Sequence, residues 1–278
     1  MTAAVLATVC AVVYGTADFF GGLATRRSRV LAVVLLSQIA GLALLAALLP
    51  VLPGVLTTEA LAWGATAGVS GTTGMVLFYR ALAVGVMSVV APITATTSAA
   101  LPVLFGLATG ERPEPVALGG VLLALVAVLL VSRDSSAAAS GRGYGPVLAS
   151  LAAGAGFGGF FVLLSQAPEG AGMWPLLGAR TTSIALIALL ALATRRPPRP
   201  GPGTLHVIVA AGTLDMAANA LFVLAQQRGM LSLVAVLVSL YPASTLLLAR
   251  YVLGERLNTV QVVGIGFTLA AVALIAGG

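Results

Sequence analysis

Residues 78–112 read FYRALAVGVMSVVAPITATTSAALPVLFGLATGER, and residues 222–256 read FVLAQQRGMLSLVAVLVSLYPASTLLLARYVLGER. They align without a gap at an offset of 144, with eleven identities in 35 positions. Shared Ala and Val carry little weight in so apolar a chain. Both copies, however, end in the triplet Gly-Glu-Arg (110–112 and 254–256), where an apolar run stops, and each is followed at the same offset by one further apolar run. The chain reads as a doubled unit, one copy in residues 1–137 and the other in 143–278.

The rest of the chain shows what is doubled. Of its 278 residues 59% are hydrophobic and 8% charged, and the mean hydropathy is +1.09. A water-soluble domain carries about 25% charged residues, so this chain cannot cover itself with polar surface and must present apolar surface to lipid. A helix needs about 20 apolar residues to cross the hydrocarbon core. Ten runs qualify, near 2–24, 30–49, 59–79, 86–108, 116–132, 146–165, 172–193, 204–227, 231–253 and 259–277. The connectors are short and rich in helix breakers, such as RRPPRPGPG at 195–203. The expected fold is an all-α integral membrane protein of ten transmembrane helices. Because each unit holds an odd number of spans, the second enters the membrane upside down, and the two form an inverted five-helix repeat. In such architectures the binding site lies near the bilayer midplane between the repeats.

The first run lacks the basic leader and short core of a signal peptide and is read as a retained helix. Cys10, the single cysteine, cannot form an intrachain disulfide. The net charge of +6 comes from fourteen basic residues, all Arg, clustered between apolar runs. That pattern suits anionic lipid headgroups, not nucleic acid. One Cys and one His are too few for a dedicated zinc site. Neither a phosphate-binding Walker loop nor a nucleophile triad is present. No cofactor and no enzymatic activity are expected.

Arg-rich loops stay cytoplasmic. Connectors after odd-numbered spans hold Arg26, Arg27, Arg29, Arg80, Arg133, Arg142, Arg195, Arg196, Arg199 and Arg256; those after even-numbered spans hold Arg112 and Arg228. The count places both termini outside.

Asp18, Arg180 and Asp215 fall within spans. A charge near the centre of a membrane helix costs about 2.5–3.5 kcal/mol on insertion scales, so such residues face partners or a wet cavity. At about 1.5 Å rise per residue, Arg180 and Asp215 lie about 12 and 16 Å in from opposite faces, at nearly one depth, where they can pair. Asp18 lies about 10 Å from the face where the first span ends. One arginine cannot neutralise two carboxylates. With Arg180 taken by Asp215, Asp18 is free to bind a proton or a cationic group; the alternative is a hydrogen bond to Ser or Thr hydroxyls across a helix contact. For Arg180 and Asp215 the alternative is a purely structural pair. Asn219 is four residues after Asp215 and shares its face. Tyr14, Gln38, Thr94, Thr97 and Tyr241 are further candidates for a cavity lining, or else for helix contacts. Pro92, Pro102 and Pro242 are expected to interrupt the fourth and ninth spans. The glycines of GATAG (64–68) and GAGFGGFF (154–161) point to close helix packing. His206 belongs at the membrane interface. Gly-Glu-Arg is expected to pair its Glu with Arg and cap a helix end.

Together the doubled five-helix unit, YRALAVG (79–85), AQQRGML (225–231), Tyr241-Pro242 and the two Gly-Glu-Arg triplets resemble the drug/metabolite transporter superfamily, in particular its ten-helix EamA-like branch. The resemblance covers nearly the whole chain. It implies secondary transport of a small metabolite or drug across the inner or plasma membrane, often export, by a monomer or homodimer with a cavity between the units. It also implies cytoplasmic termini, against the Arg count. Members of that branch often carry an arginine in the second helix of a unit. Arg180 fits that pattern, while the matching place in the first unit is Gln38. Small multidrug-resistance relatives couple to protons through a glutamate in their first helix; alignment puts Val12 there, not Asp18. The alternatives are a non-coupled facilitator or pore on the same scaffold and, less favoured, a membrane scaffold or sensor, which would not need charges at the midplane.

Overall fold

The computed structural model describes residues 1–25, 27–84, 87–131, 145–195, 199–254 and 257–277. The expected unit boundary, the loop arginines Arg26, Arg133, Arg142, Arg196 and Arg256, and the second triplet's Glu255 lie outside the described residues. The helices are α1 (Thr2–Thr25), α2 (Val30–Leu48), α3 (Thr58–Val84), α4 (Met87–Ala108), α5 (Pro115–Val131), α6 (Gly145–Ser165), α7 (Trp174–Ala193), α8 (Leu205–Gln226), α9 (Leu231–Val238), α10 (Tyr241–Leu253) and α11 (Thr259–Gly277). Six spans among the described residues are both long and apolar enough to cross a bilayer, α9 and α10 counting as one. The remaining spans are shorter in their apolar stretch or more polar.

The ninth span is broken because Pro242 has no N–H to give the carbonyl of Val238 four residues earlier. α9 therefore ends there, Leu240 N–H turns to Leu237 O (3.2 Å), and α10 starts afresh at Tyr241. The fourth span differs from expectation: α4 runs unbroken through both Pro92 and Pro102. The third span also runs further than its hydropathy indicates. Arg80, counted as a loop residue, lies inside α3.

The two units interlock. α1 packs on α8 and α6 on α3; α2 packs on α8 and α7 on α3; α1 packs on α10 and α6 on α4; α2 meets α7, α4 meets α9 and α5 meets α11. Each of these contacts has its mate, or maps onto itself, under exchange of the units, which is two-fold pseudo-symmetry. The loops fix its sense. Ser28, between α1 and α2, bonds Thr204 Oγ1 (2.7 Å) and Gly201 N–H (2.8 Å), between α7 and α8. Val55 N–H, between α2 and α3, bonds Gly170 O (2.9 Å), between α6 and α7. The first loop of one unit thus shares a membrane face with the second loop of the other, as inversion requires.

Small residues let these helices cross closely. A β-carbon on Gly68 would stand 2.5 Å from Ala179 O, and one on Gly212, its repeat mate, 2.1 Å from Ser37 O. Gly64, Gly154 and Gly158 are closed in the same way, by Pro175 O, Thr94 O and Ser98 O. The glycine-rich motifs are packing devices. The carbonyl of Ser98, freed by Pro102, is the one that Gly158 meets.

The first Gly-Glu-Arg works differently from expectation. Gly110, at φ 99°, takes the left-handed conformation that ends α4, and Glu111 N–H closes back on Gly106 O (2.9 Å). The Glu111 carboxylate then reaches across the unit boundary, not to Arg112, and accepts the N–H groups of Leu231 (2.6 Å) and Ser232 (3.0 Å) at the start of α9. An anion on a helix N-terminus satisfies both the orphan amides and the helix dipole. The first triplet therefore clasps one unit to the other.

Candidate functional site

Arg180 is almost fully buried, its side chain 7% exposed, where α2, α7 and α8 meet. It donates from Nη1 to Gln38 Oε1 and from Nη2 to Asp215 Oδ2. The ion pair expected from depth forms. Gly41 of α2 leaves room for it: a β-carbon there would lie 3.4 Å from the guanidinium carbon and 3.0 Å from Gly212 O. Asn219, 4% exposed, donates to Asp215 O (2.8 Å) and Oδ2 (3.4 Å). Its own Oδ1 is buried without a partner. The Asp215 side chain stays 38% exposed, so the pair opens on one side.

The contact between Arg180 and Gln38 explains a departure from the family pattern. Ala179 meets Gly68 as Ser37 meets its mate Gly212, so the next residues, Arg180 and Gln38, occupy matched places in the packing, and in a two-fold arrangement matched residues that touch lie on the axis. A second arginine at 38 would put two guanidiniums face to face. Glutamine supplies an acceptor instead.

Asp18 is exposed, but not to lipid. At about 100° per residue it lies on the side of α1 opposite the exposed Val5, Val9 and Val12 and shares a face with buried Ala7 and Ala11. It therefore opens onto the interior of the bundle. It makes no hydrogen bond or ion pair among the described residues, and it stands within electrostatic reach of Asp215 and Tyr241. Tyr14 lies one turn before it, with Asp215, Arg180 and Asp18 within electrostatic reach. It packs edge-on against Phe161 (6.5 Å between centroids, 78°), which tilts onto Phe222 (4.4 Å, 37°). Tyr241 opens α10 beside Gly15, where Thr245 Oγ1 bonds Gly15 O (2.9 Å).

Asp18, Tyr14, Gln38, Arg180, Asp215, Asn219 and Tyr241 are thus brought to one region. Thr94 and Thr97 are not. Thr94 is buried and donates to Ser150 O (3.2 Å), and Thr97 packs against Gly154, both in the α4–α6 contact. Cys10 packs with its thiol on Ala218 O (3.1 Å), and His206 is exposed in the first turn of α8. Sequence reasoning missed Phe161 and Phe222, and it missed that Asp18 approaches Asp215. The signal was available: α1 ends and α8 begins on one membrane face, so depths of about 10 and 16 Å from it differ by about one turn. No group of residues able to hold a metal ion occurs among the described residues.

The family model of the EamA-like transporter family matches this chain twice, over residues 1–133 and 145–277. The chain belongs to the EamA-like transporter family. It is a multi-pass membrane protein whose family moves small molecules across membranes. A solved crystal structure, described only as that of a protein, superposes with a TM-score of 0.78 at 19% identity, over 98% of this chain and 95% of its own. That likeness extends to the fold alone. No curated protein matches the chain.

Proposed function

We propose that this EamA-like protein is a secondary active transporter that exports a small metabolite or drug across the cytoplasmic membrane by alternating access, driven by the proton gradient. In this reading its two units, 1–137 and 143–278, rock about the axis between Gln38 and Arg180. The observation that carries the proposal is the open, unpaired Asp18 carboxylate facing an ion pair inside an inverted repeat. A structural role alone would leave no ionisable group of a membrane helix without a partner. Asp18 is assigned to proton or substrate binding. Asp215, Arg180, Asn219, Gln38, Tyr14 and Tyr241 are assigned to the walls of the site. Arg180 organises the site more than it contacts the ligand, because both of its bonded partners are protein groups.

Protein in liposomes tests this. A compound that stabilises the purified protein should accumulate against its gradient under an imposed pH step, and Asp18→Asn should abolish accumulation while sparing the fold. Equilibration without accumulation in the parent would assign the scaffold to a facilitator. Undiminished accumulation by Asp18→Asn would remove Asp18 from the coupling site.

A further inference from the structure

The groups that face the central space differ in kind. Asp18 offers a carboxylate without a bonded partner, and Asp215 has only Oδ2 committed to Arg180 and Asn219. Asn219 spends its amide hydrogens on Asp215, which fixes the sense of the amide and leaves Oδ1 as a buried acceptor with nothing to accept. On the donor side, the Arg180 guanidinium is buried and bonded to Gln38 and Asp215. The remaining donors are neutral: the hydroxyls of Tyr14 and Tyr241, each of which can also accept, and the amide hydrogens of Gln38, whose oxygen takes the Arg180 bond. The region therefore lacks a free cationic donor. Its ionisable groups are two carboxyls against one guanidinium, so one carboxyl has no counter-cation within the protein. Beside them stand the half-buried rings of Tyr14 and Phe161, backed from the core by the fully buried Phe222; such rings favour an apolar body and attract a cation at their faces.

Resting on the transport reading above, we propose that the site between α1 and α8 takes a protonated primary or secondary amine carried on a small aromatic or aliphatic body. The ammonium sits between Asp18 and Asp215 and donates to Asn219 Oδ1. A quaternary ammonium has the charge but no N–H, so it leaves Asn219 Oδ1 orphaned. An amino acid brings a carboxylate for which no free cation is available. An organic anion likewise finds no free cation.

The test uses the full-length protein in detergent, titrated with four probes in a thermal-shift assay: 2-phenylethylammonium, its N,N,N-trimethyl counterpart, phenylalanine and phenylacetate. The primary amine should stabilise the protein with an apparent Kd about tenfold or more below that of the trimethyl compound, the loss expected when a buried acceptor goes unmet. Phenylalanine and phenylacetate should give no shift. Asn219→Leu should close the gap between the two amines, and Asp18→Asn should weaken both. If Asn219→Leu does not fold, Asn219→Ala replaces it, and the four-probe series on the parent stands by itself. Equal binding of the two amines, stronger binding of the zwitterion or anion, or no shift with any probe overturns the proposal. Binding of the amine without movement of it in liposomes upholds this site and overturns the transport reading. Transport of another solute with no amine binding does the reverse.

Discussion

Replacing Asp215 by Asn keeps the shape of the carboxylate and removes its charge, which isolates what the ion pair contributes. Arg180 cannot follow the charge to water: its side chain is 7% exposed and wedged under Gly41, with Gln38 as its remaining acceptor. Breaking a fully buried pair by removing one partner costs about 3–5 kcal/mol. Asp215 is 38% exposed, which places the loss nearer that of a charge-assisted hydrogen bond, about 2–3 kcal/mol. For a chain of this size that lowers the unfolding midpoint by about 5 °C. Thermal unfolding of the detergent-purified protein, followed by circular dichroism at one scan rate, reads the loss. The double variant Arg180→Gln/Asp215→Asn removes the stranded charge and should recover at least half of it. A midpoint for Asp215→Asn within about 1 °C of the parent, or a double variant no more stable than the single one, would refute the view that Arg180 depends on Asp215.

The inter-unit clasp should be equally exposed to mutation. Glu111→Gln halves the attraction for the start of α9 and should cost about 1–2 kcal/mol, with faster hydrogen exchange at the amides of Leu231 and Ser232; unchanged exchange would deny the clasp. Gly212→Leu should abolish folded yield on size-exclusion chromatography, since even a β-carbon there meets Ser37 O, whereas Gly266→Leu, with nothing within 4 Å of an added β-carbon, should be tolerated. Equal yields from the two would contradict the close α2–α8 crossing. A C-terminal reporter active only outside the inner membrane should be active if the arginine count governs topology, and silent if the resemblance to cytoplasmic-terminus relatives does.

Much of the fold was legible because lipid imposes it. Ten apolar runs, an offset of 144 and an odd number of spans per unit leave little freedom. The pairing of Arg180 with Asp215 followed from depth alone, since charges inside hydrocarbon seek each other. Other features depend on how helices rotate and cross, which hydropathy does not encode. Thr94 read equally as a lining residue or a helix contact, and it bonds Ser150 O in the α4–α6 contact. Glu111 looked like a partner for Arg112 yet caps a helix of the other unit. Gln38 looked like a missing arginine, and its reason emerges only when the two-fold axis is seen to pass beside it. Pro242 and Pro102 read alike in sequence. One stands where a helix ends; the other does not, for α4 runs on through Pro102 and the carbonyl of Ser98 faces Gly158.

The antiparallel interlocking of the units is tested most directly by a cross-link. Ser28 and Thr204 have hydroxyl oxygens 2.7 Å apart, so sulfurs in their places start within about 1 Å of the S–S bond length of about 2.0 Å. In a Cys10→Ala background, Ser28→Cys/Thr204→Cys should oxidise nearly completely in native membranes, while Ser28→Cys/Gly170→Cys, on opposite faces, should not react. Absence of the first bond, or ready formation of the second, would mean that the two units share one orientation.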